Sequence, residues 1–541
     1  MAIPLYQDLW NGKETLSETV ALRCGEKQLT FGDFFQNILR AEAGLRSLGV
    51  GPGDLVTLIT LNTPEAVIAF YAIDRIGAVA NWVDTKLSPT EVEEYLIRAQ
   101  SKVVLVLELA FAKVYQNRGQ APAEHFITLP LACYLPDALG EKLHLNTWQE
   151  AAGPGCMPWV SLLQIPQDIS PEKERWEEPV AITYTGGTTG PAKGVMLSRR
   201  AFHASLEQYT QAETEYGRGG ENLDLLPLFS AFGLCQCVHV PLCLGMGVIL
   251  SPLFRPNQLG QALQQYHPTQ VSGTTSYWQL LLQDAWAKTA DLSFLKVPRC
   301  GGDTLPAELE RRINAFLAQG GCSANLVKEY GMSEVAGIVC VSYGYGEIGD
   351  AGRPVPGCKI VAVDPTTGAL CPPEVQGELI IQSGTQMSGY YGMPEANEQV
   401  LKPGPDGTIW VWTKDLGHTT ADGRVVVTGR KKRMISRHGF KIFPSVIENC
   451  LLSDPGVSAC AVVAGISPKG ETLPVAHIVA APGQDPAALE AALRRLVKRD
   501  LNLFLHPGAY CFHDVLPLTE RGKLDYRALE QQTNYNQIRR N

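Results

Sequence analysis

The chain is short of basic charge and of long apolar runs, and each shortage excludes a class of function. It has 541 residues, with 46 Lys or Arg against 55 Asp or Glu and a net charge of −9. Nucleic-acid binding needs a basic face to neutralise phosphates and is not expected. The most apolar run, Cys237 to Phe254, contains His239, Pro241, Gly245 and Gly247 and is short for a membrane span. The segment MAIPLYQDLW has no basic patch followed by an apolar stretch, so no signal peptide is expected and the protein reads as soluble and cytoplasmic. No fixed-period repeat is present. Fourteen cysteines are scattered without C-x-x-C spacing, which reads as buried free thiols of a reducing compartment. The tight pair Cys235 and Cys237, with His239 nearby, reads as core packing rather than a zinc site.

What is present is a chain able to bury large cores. At 45% apolar residues, two to four domains are expected. Apolar runs bounded by Gly and Pro alternate with amphipathic stretches, as in DLVTLITLN (Asp54 to Asn62) followed by TPEAVIAFYAIDRIGAVA. That alternation predicts strand–helix units and parallel sheets flanked by helices. PQDISPEKERWEEP (Pro166 to Pro179) reads as an exposed linker, and VAITY after it as a buried strand. A second break falls around Asp422 to Arg433, in ADGRVVVTGRKKR, hairpin-like and then cationic. Beyond it, Val457 to Ile466 and Leu473 to Ala481 read as strands and the stretch opened by Asp485 and Pro486 as an amphipathic helix.

The stretch YTGGTTGPAKGVMLS (Tyr184 to Ser198) combines glycines, threonine hydroxyls and Lys193. Backbone N–H groups converge on phosphate oxygens where no Cβ blocks the approach. The spacing is not that of a Walker loop, and Gly194 follows the lysine, so this is a different phosphate cradle or a flexible turn.

The ordered series YTGGTTGPAKGV, PLFSAFGL, CGGDTL, EYGMSE, GELIIQSGTQMSGYY, WTKDLG, GRKKRMISRHGFKIFPSVIE and PLTERGKLDYRAL resembles the adenylate-forming superfamily of AMP-binding enzymes. These are acyl- and aryl-CoA synthetases, peptide-synthetase adenylation domains and firefly-type luciferases. The resemblance implies an α/β fold: a large N-terminal domain (1–431) with parallel-type sheets and a β-barrel-like subdomain, and a small mobile C-terminal α+β domain (432–541) hinged near Lys432. It implies ATP, Mg²⁺ and coenzyme A, or the phosphopantetheine of an acyl carrier protein, as cofactors and co-substrates. The small-molecule partner it implies is a carboxylic acid.

By the same resemblance Lys523 bridges carboxylate and α-phosphate, Glu334 helps hold Mg²⁺, and Ser333 donates to the α-phosphate. Thr185, Gly186, Gly187, Thr188, Thr189, Gly190 and Lys193 cradle the pyrophosphate end of ATP. Tyr330 faces adenine with Gly302 and Asp303 on its other side; Asp415 and Arg430 take the ribose; Gly439 lets a pantetheine arm approach. The acyl pocket is expected from Ser230, Phe232, Tyr277, Trp278, Gly301 and Gly331, an apolar set that favours a fatty or aryl tail. An acid to pair with an amino-acid substrate's ammonium is missing between Leu228 and Leu234.

The sequence departs from the pattern at Lys414, where glycine is frequent, at Ser436, where lysine is common, and at Ser230, where a bulky gate residue is usual. The expected activity is AMP-forming acyl-CoA synthesis, with Arg433, Arg437 and Lys441 leaning toward CoA. The alternatives are a free-standing enzyme that loads a carrier protein and a catalytically silent nucleotide-binding protein.

Overall fold

The structure, a computed structural model, describes residues 5–10, 14–143, 145, 153–165, 177–185, 192–211, 220–343, 346–437, 440–467, 471–519 and 522–533. Gly186, Gly187, Thr188, Thr189, Gly190 and Gly439, and most of the expected linker, lie outside these residues.

The strand–helix unit expected near the N-terminus is present. Strand Leu55–Ile59 leads into helix Pro64–Ile76, which returns to strand Val79–Val83, parallel to the first. Thr63 caps the helix by accepting from the N–H of Ala66, Pro64 opens it, and Gly77 ends it at φ 80°. Every residue of this helix is buried. Such a helix, apolar on nearly all sides, belongs inside a core. Its core combines residues of two sheets, among them Leu58, Trp82 and Val180 from one and Leu22, Val248 and Leu250 from the other.

Of these sheets, one has eight strands in the order Gly389–Tyr390, Gly194–Ser198, Pro179–Tyr184, Val79–Val83, Leu55–Ile59, Val103–Leu107, His125–Leu129 and Cys156–Pro158. The other has nine, with a parallel centre from Val327–Met332 through Val297–Gly301, Gln270–Gly273, Glu221–Asp224 and Gly247–Leu250 to Val20–Cys24. A five-stranded antiparallel sheet includes the hairpin of Ile409–Thr419 and Val425–Arg430, which turns at Gly423 as the hairpin-like stretch implied. This is the expected α/β class with its barrel-like sheet.

Past the cationic run, strands Val457–Ile466 and Thr472–Ala480 pair antiparallel, and the second pairs in parallel with Ala509–Phe512. Helix Pro486–Asp500, capped by Asp485, lays Leu489, Leu493 and Val497 on them. Their core begins at Ile435, just beyond Lys431–Arg433. Cys235 and Cys237 are fully buried, Cys235 in the core between the two large sheets and Cys237 in a separate cluster with Leu223, Ile249 and Val271. The thiols are free, but not all are buried, since Cys133 is exposed. Among the described residues no helix is long and apolar enough to cross a membrane.

Candidate active site

Strand Val327–Met332, paired on both sides within the nine-stranded sheet, carries Tyr330, and a buried ion pair fixes that strand. Glu329, the residue before, meets Arg299 Nη1 at 3.3 Å and accepts from the Tyr209 hydroxyl at 3.1 Å. Burial pushes the Glu329 carboxyl above its ordinary range while Arg299 opposes the shift. Tyr330 then reaches across to the hairpin, where its hydroxyl donates to Asp415 Oδ2 at 3.0 Å. Burial first, and the Asp415 charge second, hold this phenol well above its usual pKa, so it stays a neutral donor. Asp415 Oδ1 accepts from Arg430 Nε at 2.8 Å across the same hairpin. The Asp415 carboxylate raises the Arg430 guanidinium pKa further. Three residues expected at adenine and ribose are thus linked in one chain of hydrogen bonds.

The glycine-rich segment joins two antiparallel strands, Pro179–Tyr184 and Gly194–Ser198. Its described ends close on each other: the N–H of Thr185 donates to the carbonyl of Lys193 at 2.9 Å. A helix, Arg199–Gln211, starts directly after Ser198. Lys193 Nζ lies 4.7 Å from the ring centroid of Tyr390, whose hydroxyl donates to Glu334 Oε1 at 2.7 Å. Tyr390 therefore stands between Lys193 and the buried Glu334 carboxylate. No role was expected of it, although it stands within the quoted GYY motif. Glu334 is the middle residue of the short turn Ser333–Val335, and its own carbonyl accepts from the N–H of Met387.

Lys414 occupies the left-handed region at φ 63°, which explains why glycine is frequent at such a position. Its ammonium pKa is lowered by burial first and then by Lys193 and Lys432. The charges of Lys193 and Lys432, from two other segments, thus act on Lys414, and a concentration of cations of this kind suits a polyphosphate. Glu334, with one oxygen held by Tyr390, adds a single hard carboxylate donor, the kind Mg²⁺ takes from protein when phosphates supply other ligands.

Lys523, of the small domain, comes against Gly302 of the large one. A Cβ built on Gly302 would stand 3.3 Å from Lys523 Cε and 3.5 Å from Nζ, and Gly302 itself has φ 85°. The glycine thus permits both the turn and the close approach. The lysine's loop is anchored on the large domain, because the carbonyl of Gly522 accepts from Thr274 Oγ1 at 2.9 Å and from Ser276 Oγ. Asp303 Oδ2 accepts from the N–H of Leu524 at 3.4 Å.

The residues expected at the acyl pocket divide into two groups. Phe232 packs against Gly301, 3.1 Å from where a Cβ would be, and the Gly331 strand runs so close to Gly337 that a Cβ would fall 1.7 Å from its carbonyl oxygen. Tyr277 lies beneath Gly522, and Trp278 is fully buried with Nε1 donating to the carbonyl of Arg299 at 3.0 Å. Ser230 spends its hydroxyl on the backbone, donating to Pro227 O at 2.7 Å and accepting from Gly233 N at 3.1 Å. It lies two residues before a π-helical segment, Phe232–His239.

Two of the cations expected to favour CoA are engaged within the small domain. Arg433 pairs with Glu448 at 2.9 Å and stacks 3.5 Å from the Tyr526 ring centroid. Arg437 donates to the carbonyls of Phe504 and His506. Lys441 and the expected hinge residue Lys432 are exposed.

The AMP-binding enzyme family matches residues 10–391, and the AMP-binding enzyme C-terminal domain matches residues 446–523. A long-chain-fatty-acid–CoA ligase of Bacillus subtilis (strain 168) is 29% identical over 532 residues, covering 95% of this chain and 92% of that protein. A 4-coumarate–CoA ligase 2 of Oryza sativa subsp. japonica is 27% identical over 506 residues, covering 91% and 85%. Among solved structures, the anthranilate CoA ligase AuaEII in complex with anthranoyl-AMP superposes with a TM-score of 0.84 at 22% identity, covering 99% of this chain and 98% of that one. ATP-bound MatB from Rhodopseudomonas palustris gives 0.83 at 22% identity, covering 98% and 99%. At such identity these two speak for the fold alone.

Proposed function

The chain belongs to the AMP-binding enzyme family, and from that premise we propose that it activates an apolar carboxylic acid with ATP and transfers the acyl group to the thiol of coenzyme A. In the first half-reaction a carboxylate oxygen bonds to the α-phosphorus of ATP and the bond to the β-phosphate oxygen breaks, releasing pyrophosphate. In the second, a thiolate bonds to the acyl carbon and AMP leaves with the electron pair of the broken C–O bond.

The observation that carries this reading is the placement of Lys523 against Gly302, on a loop anchored by Thr274 and Ser276, beside the linked Tyr330, Asp415 and Arg430. Its ammonium neutralises the charge that builds when two anions are joined. Asp415 and Arg430 take the ribose, and Tyr330 offers its ring to adenine. Lys193 and Lys414 hold the departing pyrophosphate, with Ser333 donating to the α-phosphate. Mg²⁺, when bound, would be held by Glu334 and would spread the phosphate charge. The thiol step needs the space that Lys523 fills, so the small domain, residues 432–541, turns about Lys432 between the half-reactions. Phe232 with Gly301 and Gly331 supports an apolar acyl group, and relatives that are fatty-acid and coumarate CoA ligases support both the tail and CoA as acceptor.

The test is carboxylate-dependent ATP–pyrophosphate exchange over a panel of fatty, aryl and amino acids, followed by thioester assays with CoA and with holo-carrier proteins. Lys523→Ala is expected to abolish exchange while sparing thioester formation from supplied acyl-AMP. Equal loss of both would remove the assigned role, and absence of exchange with every acid would leave a nucleotide-binding protein.

A further inference from the structure

Away from the lysine, two helices cap one another across the boundary between the domains. Helix Ala307–Gln319 of the large domain starts after Pro306, which offers no side-chain cap, yet the N–H of Ala307 finds Asn449 Oδ1 of the small domain at 2.9 Å. In the other direction, Arg312 of that helix reaches the end of the small domain's helix Pro444–Leu452. Its Nη2 donates to the carbonyls of Leu452 and, at 3.3 Å, Asp454, and its Nη1 donates to that of Val457 at 2.7 Å. A guanidinium at the carbonyl end of one helix and an amide oxygen at the N–H end of another each satisfy orphan backbone groups and suit the helix dipoles. Arg312 is only partly exposed and also faces Glu308 Oε1 at 3.5 Å, which holds its side chain in place.

This reciprocal cap sits on the same segment that meets Lys523. Strand Val297–Gly301 is followed by Gly302, which touches the lysine, by Asp303, which accepts from Leu524, and then by helix Ala307–Gln319. The cap can form only while the small domain is docked as it is here, with Lys523 in the site. Once the domain turns, the freed N–H and carbonyl groups return to water, so the cap biases an equilibrium rather than locking it.

We propose that Arg312 and Asn449 form an interdomain clamp that selects the adenylate-forming arrangement, and that they are positioning residues for the first half-reaction alone. The inference rests on the functional reading above, in which Lys523 acts in adenylation. It deepens that reading by naming what holds the lysine there from outside the site. A hydrogen bond to a charged group contributes enough that losing it shifts a two-state balance by roughly tenfold or more.

The test uses the full chain with Arg312→Ala, Asn449→Ala, the double variant and Arg312→Lys. Three readouts are taken: pyrophosphate exchange, thioester formation from supplied acyl-AMP, and the rate of tryptic cleavage at residues 431–433. The expected result for Arg312→Ala is exchange lowered by about tenfold, thioester formation unchanged or faster, an unchanged melting temperature, and faster cleavage. Arg312→Lys is expected to restore part of the exchange. Equal falls in both half-reactions, or no change in any readout, would overturn the clamp. If the native chain exchanges pyrophosphate with no acid, the functional reading fails, whereas the cleavage comparison, which needs no substrate, still decides whether the clamp holds the domain.

Discussion

Tyr330 donates its phenolic hydrogen to Asp415 while Arg430 holds the other carboxylate oxygen, so a strand of the large sheet and a hairpin some 85 residues further along are tied at one side chain. The carboxylate is oriented before a nucleotide arrives, and preorganisation of this kind lowers the cost of binding. Tyr330→Phe keeps the ring face and removes one hydrogen bond. It is expected to raise the KM for ATP by roughly three- to tenfold with little change in kcat, the effect of about 1 kcal/mol. Asp415→Asn is expected to cost more, since it also removes the charge that pairs with Arg430. Exchange rates measured against ATP concentration check both, and a larger effect of Tyr330→Phe would mean that the carboxylate is not the ribose acceptor.

Lys414 trades stability for charge. A non-glycine residue at φ 63° carries a backbone cost of about 1 kcal/mol relative to glycine, and its ammonium meets Lys193 and Lys432. Its folded pKa lies below its unfolded value, so the electrostatic part of the cost is present while the amine is charged and fades as pH rises toward and past the unfolded value. Lys414→Gly is therefore expected to raise the melting temperature at neutral pH, by less at pH values above about 10, and to raise the KM for ATP. Thermal denaturation across pH, set beside exchange kinetics, checks this. A more stable variant with unchanged KM would show that Lys414 faces solvent rather than phosphate.

The layered fold was legible because its signals are local. The run from Asp54 to Ala80 carries strand, cap, helix and C-terminal glycine within one stretch, and Asp485–Pro486 announces its helix in the same way. The motif residues Tyr330, Asp415, Arg430 and Lys523 were legible as candidates because several short patterns occur in order. What the sequence did not disclose depends on pairing between distant segments. Tyr390 reaches Glu334 and Lys193 because Gly389–Tyr390 adds to the edge of Gly194–Ser198, nearly two hundred residues earlier. Ser230 was read as a small residue where a bulky gate is usual; that its hydroxyl caps a backbone turn is set by local geometry that residue type alone does not reveal. Arg433 and Arg437 were read as leaning toward CoA, and the sequence did not disclose that tertiary packing gives them Glu448, Tyr526 and two carbonyls.

The small domain contains an acid-sensitive joint behind the lysine. His477, fully buried, places Nδ1 2.8 Å from His513 Nε2 and Nε2 3.2 Å from Thr533 Oγ1, which itself donates to the carbonyl of Leu529. The threonine's single hydrogen is thus committed, so His477 Nε2 donates to it and Nδ1 accepts from His513, a pattern that requires a neutral His477. Burial, and then His513, bring the His477 pKa down to about 4; Asp514 is the acidic neighbour acting on His513. The folded pKa lies below the unfolded one, so the unfolded chain binds more protons and stability is lost as pH falls from about 6.5 toward 4, by about 3 kcal/mol for this residue. Thr533 directly follows helix Tyr526–Gln532, which begins three residues after Lys523, so loosening this joint should reach the lysine's segment. Melting temperatures between pH 7 and pH 4 are expected to fall steeply in the native chain and less steeply in His477→Gln, which cannot take up the proton. An identical pH slope in both would place the acid sensitivity in other groups and remove His477 from the account.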